Sequence, residues 1–178
     1  ALDGFGVDVS GLRCIDIGSS TGGFTDCLLQ AGAAEVTCVD VNYGQLAWQV
    51  RQNPRVRVFE RTNIRLVAPE DLGAPFDKIV CDLSFIGMAS LAEVFAALAH
   101  EGSIFIGLIK PQFESKQGET DGGIVVDAAV RERVVREVEE ALTEVGFHVE
   151  GVIESPIKGT SGNIEYLVHA DFEPMRVA

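Results

Sequence analysis

Five polar residues stand at the ends of apolar runs in this chain: Asp16, Asp40, Asn63, Asp82 and Lys110. Between the first two lies a glycine-rich loop, Gly18-Ser19-Ser20-Thr21-Gly22-Gly23. Glycine has no Cβ and tolerates positive φ, so such a loop lets a ligand lie against bare backbone. The polar-apolar mix from Phe24 to Leu29 reads as a helix start, which presents unpaired N–H groups. Asp40 closes the next apolar run, 22 residues after Gly18 (40 − 18). In nucleotide-binding α/β folds an acid meets a ribose hydroxyl at a spacing of roughly 20 residues. The pattern therefore predicts an adenosine-type cofactor.

The spelling of the loop narrows the choice. A dinucleotide fingerprint reads G-x-G-x-x-G and receives a pyrophosphate. Here the order is G-x-x-x-G-G, and Asp16 precedes the first glycine by two residues. A carboxylate there repels a pyrophosphate but can accept a hydrogen bond from a cationic amino group. S-adenosylmethionine carries an ammonium, a sulfonium and no phosphate, so it is the expected cofactor, and a nicotinamide oxidoreductase is disfavoured. A glycine-rich turn with no ligand is the plain alternative. The expected cofactor-binding set is Asp16, Gly18, Ser19, Gly22, Gly23, Asp40 and Asn63, with Asn63 against the adenine and Asp82 at the edge.

A second constellation is catalytic. Lys110 closes the apolar run Ser103 to Ile109, and Pro111 ends it sharply. Asp82 is expected at the matching end of a neighbouring strand, close enough to pair with Lys110. Glu165 lies within the apolar run from Asn163 to Val168, either on a solvent face or aimed at the site. Ligands of open α/β sheets bind beyond the carboxyl ends of the strands. A lysine between two carboxylates there suits transfer to a hydroxyl. A charged ammonium orients the oxygen and stabilises a developing alkoxide, and the carboxylates hold it in place.

These residues need a parallel sheet to position them. Strands are expected over 12–17, 35–40, 56–59, 76–81, 102–109, 147–154 and 163–170, and helices over 22–31, 44–52, 88–99 and 128–145. In the last helix Asp127 is a plausible N-cap, apolar residues repeat at helical spacing from Val130 to Val145, and Gly146 follows as a stop. Strand–helix alternation signals α/β architecture. The short link 155–162 favours an antiparallel final pair. The expected fold is a Rossmann-like seven-stranded sheet, mostly parallel, with an antiparallel terminal hairpin, in one domain over 1–178.

Composition excludes several classes. The 178 residues are 47% hydrophobic and carry a net charge of −13, which argues against strong nucleic-acid binding by this segment alone. Arg51, Arg55, Arg57, Arg61 and Arg65 form a local exception, best read as a solvated face. No apolar run approaches the roughly 18 residues of a membrane helix, and no signal peptide is visible. Cys14, Cys27, Cys38 and Cys81 lack metal-ligand spacing, so no metal is expected and a reducing cytoplasm fits. His100, His148 and His169 are isolated and read as structural or surface residues.

Several runs together carry a family resemblance. Asp16 to Asp26, Val39 to Trp48, Glu60 to Asn63, Asp82 to Ile86 and Lys110 to Glu114 resemble the TlyA family, often labelled hemolysins, within the FtsJ-like ribosomal RNA 2′-O-methyltransferases. The resemblance implies S-adenosylmethionine as methyl donor and cytidine 2′-hydroxyls of ribosomal RNA, or ribosomal subunits, as substrate. It also implies a Lys-Asp-Lys-Glu tetrad, in which Asp82, Lys110 and Glu165 match the last three members. The first lysine is expected just upstream of Ala1, together with a small S4-type RNA-binding domain, so the chain reads as a piece of a longer protein. Asp121 to Asp127 departs from the family, which usually has basic residues around that glycine pair. A membrane-active hemolysin and a catalytically silent ribosome-associated module are the competing readings.

Overall fold

The computed structural model describes residues 1–174. Seven strands form one sheet: β1 (Arg13–Ile17), β2 (Glu35–Val39), β3 (Val56–Phe59), β4 (Phe76–Cys81), β5 (Ala99–Ile109), β6 (Phe147–Glu154) and β7 (Tyr166–Phe172). The helices are α1 (Leu2–Phe5), α2 (Gly23–Gln30), α3 (Trp48–Arg51), α4 (Pro69–Leu72), α5 (Ala92–Leu98), α6 (Pro111–Glu114) and α7 (Ala128–Glu144). The strand order is β3-β2-β1-β4-β5-β7-β6. The first five strands pair in parallel, while β7 lies antiparallel to both β5 and β6. The expected seven-stranded sheet is present, and its final hairpin slots β7 inward, leaving β6 at the edge.

The helices differ in detail from the sequence expectation. The span 44–52 is helical only over Trp48–Arg51, and 88–99 divides into a 3-10 turn at Met88–Leu91 followed by α5. α4 and α6 are single turns with proline in the first turn, where its missing N–H is harmless. α7 behaves as its sequence dictates. Asp127 Oδ1 accepts from the Ala129 N–H at 2.8 Å, and Val134, Val138 and Leu142 are fully buried.

Side chains alternate across a strand, so the sheet separates two cores. Ile15, Ile17, Ile79, Phe105, Ile109 and Val168 face one way and pack with α5 and α7. Cys14, Cys38, Val80, Ile106 and Leu167 face the other way and pack with Leu28 and Leu29 of α2. Register fixes which strand-end residues belong to which face: Val80 pairs with Ile106, and Leu108 with Leu167. Two residues beyond Val80, Leu108 and two before Leu167 are Asp82, Lys110 and Glu165. All three therefore project from the α2 face at one end of the sheet.

Candidate functional site

Two cavities open at the carboxyl ends of the strands. The first, about 360 Å³, lies over β1, β2 and β4 and is walled by Gly18, Ser20, Asp40, Thr62, Ile64 and Asp82 among others. Gly18 has φ 82°, and a Cβ there would run into the Asp82 carbonyl oxygen, so only glycine lets the β1 and β4 ends approach this closely. Asp40 is held rigidly: one oxygen accepts from the Ser20 N–H at 2.7 Å and the other from the Asn42 N–H at 2.8 Å. With Asp40 and Asp82 in its wall and no basic residue, this cavity is acidic. That charge fits a cofactor with an ammonium and a sulfonium better than one with a pyrophosphate.

The second cavity, about 370 Å³, lies over β4, β5 and β7 and is lined by Asp82, Lys110, Glu165 and Lys158, with Phe24, Leu108 and Leu167 as apolar wall. Lys110 Nζ stands 2.6 Å from Asp82 Oδ1, with Ser84 Oγ 3.3 Å away as a second partner. Glu165 is 5% exposed and accepts from Gln112 Nε2 at 2.9 Å. Asp82 borders both cavities.

The single turn after Lys110 ties this region together. Lys110 reaches Asp82, Gln112 holds Glu165, and the Glu114 carboxylate accepts from the Met88 N–H in the segment that follows β4. Burial pushes the Glu114 carboxyl above the ordinary carboxylate range. Gln112 and Glu114 were not singled out from sequence, although both lie in Lys110-Pro111-Gln112-Phe113-Glu114. Their partners lie far away in the chain, at Glu165 and Met88. Phe85 was also missed. Its ring is 91% exposed, stands 5.1 Å from Phe113, borders the first cavity and sits at φ 68°, a left-handed conformation uncommon for a bulky residue.

Of the expected cofactor set, Gly18, Asp40 and Asp82 stand on the wall of the first cavity, and Asp16, Ser19, Gly22, Gly23 and Asn63 do not. Asp16 is fully buried on the α2 face, where Thr25 Oγ1 donates to its Oδ2 at 2.6 Å. The pleat turns its carboxylate beneath the loop, and burial pushes its pKa up to about 7. Ser19 is 7% exposed, and its neighbour Ser20 takes the wall position instead. Gly22, at φ 95°, backs onto Leu46 and Val50, so its missing Cβ serves packing. Gly23 opens α2 with open space beside it. Asn63 is exposed between two wall residues, Thr62 and Ile64, with its Oδ1 accepting from the Arg65 N–H.

Glu165 precedes β7 rather than lying inside it. Two residues before Glu165, the Asn163 side chain bonds the 123–125 loop: its Nδ2 donates to the Gly123 carbonyl and its Oδ1 accepts from the Val125 N–H. The five clustered arginines are engaged within the chain rather than simply solvated. Arg51 pairs with Glu60, Arg55 and Arg57 reach backbone carbonyls, Arg61 lies over Tyr43, and Arg65 bonds Ser90. Among the described residues no cluster of three or more His, Cys, Asp or Glu could hold a metal ion, and no helix is long and apolar enough to cross a membrane.

Comparison with known proteins decides the family. The FtsJ-like methyltransferase family matches residues 1–172. The chain belongs to the FtsJ-like methyltransferases. This FtsJ-like chain is 47% identical over 169 residues to the 16S/23S rRNA (cytidine-2′-O)-methyltransferase TlyA of Mycobacterium tuberculosis, covering 94% of this chain and 63% of that protein. The chain thus spans under two thirds of the length of that relative. A Streptococcus thermophilus protein described as a candidate hemolysin superimposes with a TM-score of 0.93 at 39% identity, over 96% of this chain and 62% of the other. An S-adenosylmethionine-dependent methyltransferase from Mesorhizobium loti shares the fold, with a TM-score of 0.69 at 18% identity over 96% of this chain and 95% of that one.

Proposed function

We propose that this chain transfers a methyl group from S-adenosylmethionine to a ribose 2′-hydroxyl, that of a cytidine in ribosomal RNA, and does so in the cytoplasm. One arrangement carries the reading: Asp82 borders an acidic cavity on one side and the Lys110–Glu165 cavity on the other. A donor and an acceptor held in the two cavities would meet at Asp82. Both are sized for small ligands, within the roughly 300–1,000 Å³ usual for such sites.

Gly18, Ser20 and Asp40 would hold the cofactor, with the Asp40 carboxylate taking the ribose hydroxyls. Bound there, it supplies an electrophilic methyl group on a sulfonium. The rest of the chemistry belongs to this chain. Asp82 fixes the Lys110 ammonium, which donates a hydrogen bond to the acceptor oxygen and opposes the negative charge that grows as its proton leaves to water. Glu165, kept in place by Gln112, flanks the oxygen's other side. A lysine preceding Ala1, which the family resemblance implies, would enter the same cavity, because Ala1 lines it. An RNA-binding domain upstream of Ala1 would supply the basic surface that a net charge of −13 lacks.

The test is label transfer from S-adenosylmethionine to ribosomal subunits by the full-length protein, followed by alkaline hydrolysis, which a 2′-O-methyl group blocks. Resistant cytidine dinucleotides are expected, as is calorimetric binding of S-adenosylmethionine but not of NAD. Binding of NAD in its place, or label on a base, would overturn the reading. Residues 1–178 alone should methylate far less than the protein extended upstream, and equal activity would remove the upstream lysine from the account.

A further inference from the structure

Lys158 sits between β6 and β7, exposed, and lines the cavity that holds Asp82, Lys110 and Glu165. The loop that carries it is pinned on both sides. The Ser155 N–H donates to the Glu165 carbonyl at 2.8 Å, Ser155 Oγ donates to the Ile157 carbonyl at 2.8 Å, and the Gly159 N–H donates to the Asn163 carbonyl at 2.9 Å. The ammonium is thus carried on a fixed backbone, yet no described residue gives it a hydrogen bond or an ion pair. The other charges of this cavity are engaged: Lys110 with Asp82, and Glu165 with Gln112. Lys158 is therefore the unpaired cation at the mouth, in a chain whose overall charge of −13 repels polyanions.

We propose that Lys158 is a positioning residue that holds a backbone phosphate of the acceptor RNA beside the reacting ribose. The inference rests on RNA being the acceptor. In a ribonucleotide the carbon bearing the 2′-hydroxyl adjoins the carbon bearing the 3′-phosphate. A hydroxyl held at Lys110 thus brings a phosphate into the same cavity, where Lys158 is the remaining lysine among the described residues. A flexible, exposed lysine suits this task, because it meets phosphate as a point charge and needs no fixed fork geometry. The Asp82 and Glu165 carboxylates deeper in the cavity turn the phosphate outward, which favours one orientation of the nucleotide.

The experiment measures methyl transfer from labelled S-adenosylmethionine to ribosomal subunits over a salt series, using full-length wild type, Lys158→Ala, Lys158→Glu and Lys158→Arg. Losing one contact to single-stranded RNA lowers the salt slope of log affinity by about 0.7, which amounts to about 5-fold in KM at ~0.1 M salt. Lys158→Ala should show that rise in KM and the shallower slope with kcat kept. Lys158→Glu should be worse, and Lys158→Arg should restore wild-type behaviour. Calorimetry should show the same cofactor affinity in all four, which also verifies folding. An unchanged KM and slope in Lys158→Ala, or a loss confined to kcat, would overturn the phosphate role while wild-type transfer leaves the RNA reading standing. Wild type that binds cofactor but methylates no ribosomal RNA would overturn both.

Discussion

The two cavities that meet at Asp82 are alike in size, about 360 and 370 Å³, and differ in how they are built. The first is shaped by the backbone of loops that follow β1 to β4, and its Asp40 carboxylate is locked by backbone N–H groups of Ser20 and Asn42. The second is assembled from side chains distant in sequence: Asp82 after β4, Lys110 after β5, Glu165 before β7 and Lys158 in the loop before that. The first is acidic, and the second balances two carboxylates with two ammonium groups. A cationic donor and an acceptor hydroxyl that becomes negative would need those two environments. On the proposed function the difference separates binding from chemistry along the sheet.

That separation can be broken by substitution. Lys110→Ala should remove methyl transfer by the full-length protein, with a rate loss of at least about 10²–10³, the usual cost of one charge-stabilising donor. Cofactor affinity by calorimetry should stay near wild type. A large loss of affinity would mean that the two cavities do not act separately. Asp40→Ala should do the reverse, weakening cofactor binding by about 1–3 kcal/mol while residual transfer at saturating cofactor persists. Unchanged affinity in that variant takes Asp40 out of the site.

Smaller effects sharpen the contrast. Gln112→Leu should free the Glu165 carboxylate and lower kcat about tenfold, since small misplacements of positioned groups are costly, with cofactor affinity unaffected. A wild-type rate would show that Glu165 needs no support. An effect on stability alone concerns Asp16, whose folded pKa near 7 lies above its ordinary 3.8 because of burial. The folded protein holds this proton where the unfolded chain has lost it. Its contribution to stability is therefore full below about pH 4 and declines as pH rises toward 7. Denaturant unfolding should show wild type losing about 2.5 kcal/mol relative to Asp16→Asn between pH 5 and 7.5. Parallel pH profiles of the two proteins would show that Asp16 titrates normally.

The alternation of strands and helices, the α7 boundaries, the glycine-rich loop and the acid that answers it are all legible in the amino-acid order. These follow from local rules: side-chain periodicity, capping at Asp127 and backbone freedom at Gly18. The candidate chemistry at Asp82 and Lys110 was legible for a related reason, because polar residues closing buried strands must emerge at the edge of the sheet. Orientation was not legible. Whether Asp16 faces a ligand or a helix depends on which sheet face α2 covers, and that face buries it against Thr25. Whether Glu165 meets Lys110 depends on β7 entering between β5 and β6 in a register that puts Leu167 opposite Leu108. The partners of Gln112 and Glu114, and the place of Lys158 on the cavity wall, likewise arise from contacts across 26 to 53 residues of chain or more. Local physics reports what a segment can become. Only the packed sheet decides which of its side chains share a cavity, because a pleated strand sends successive residues to opposite faces, and the neighbouring strands settle what each face meets.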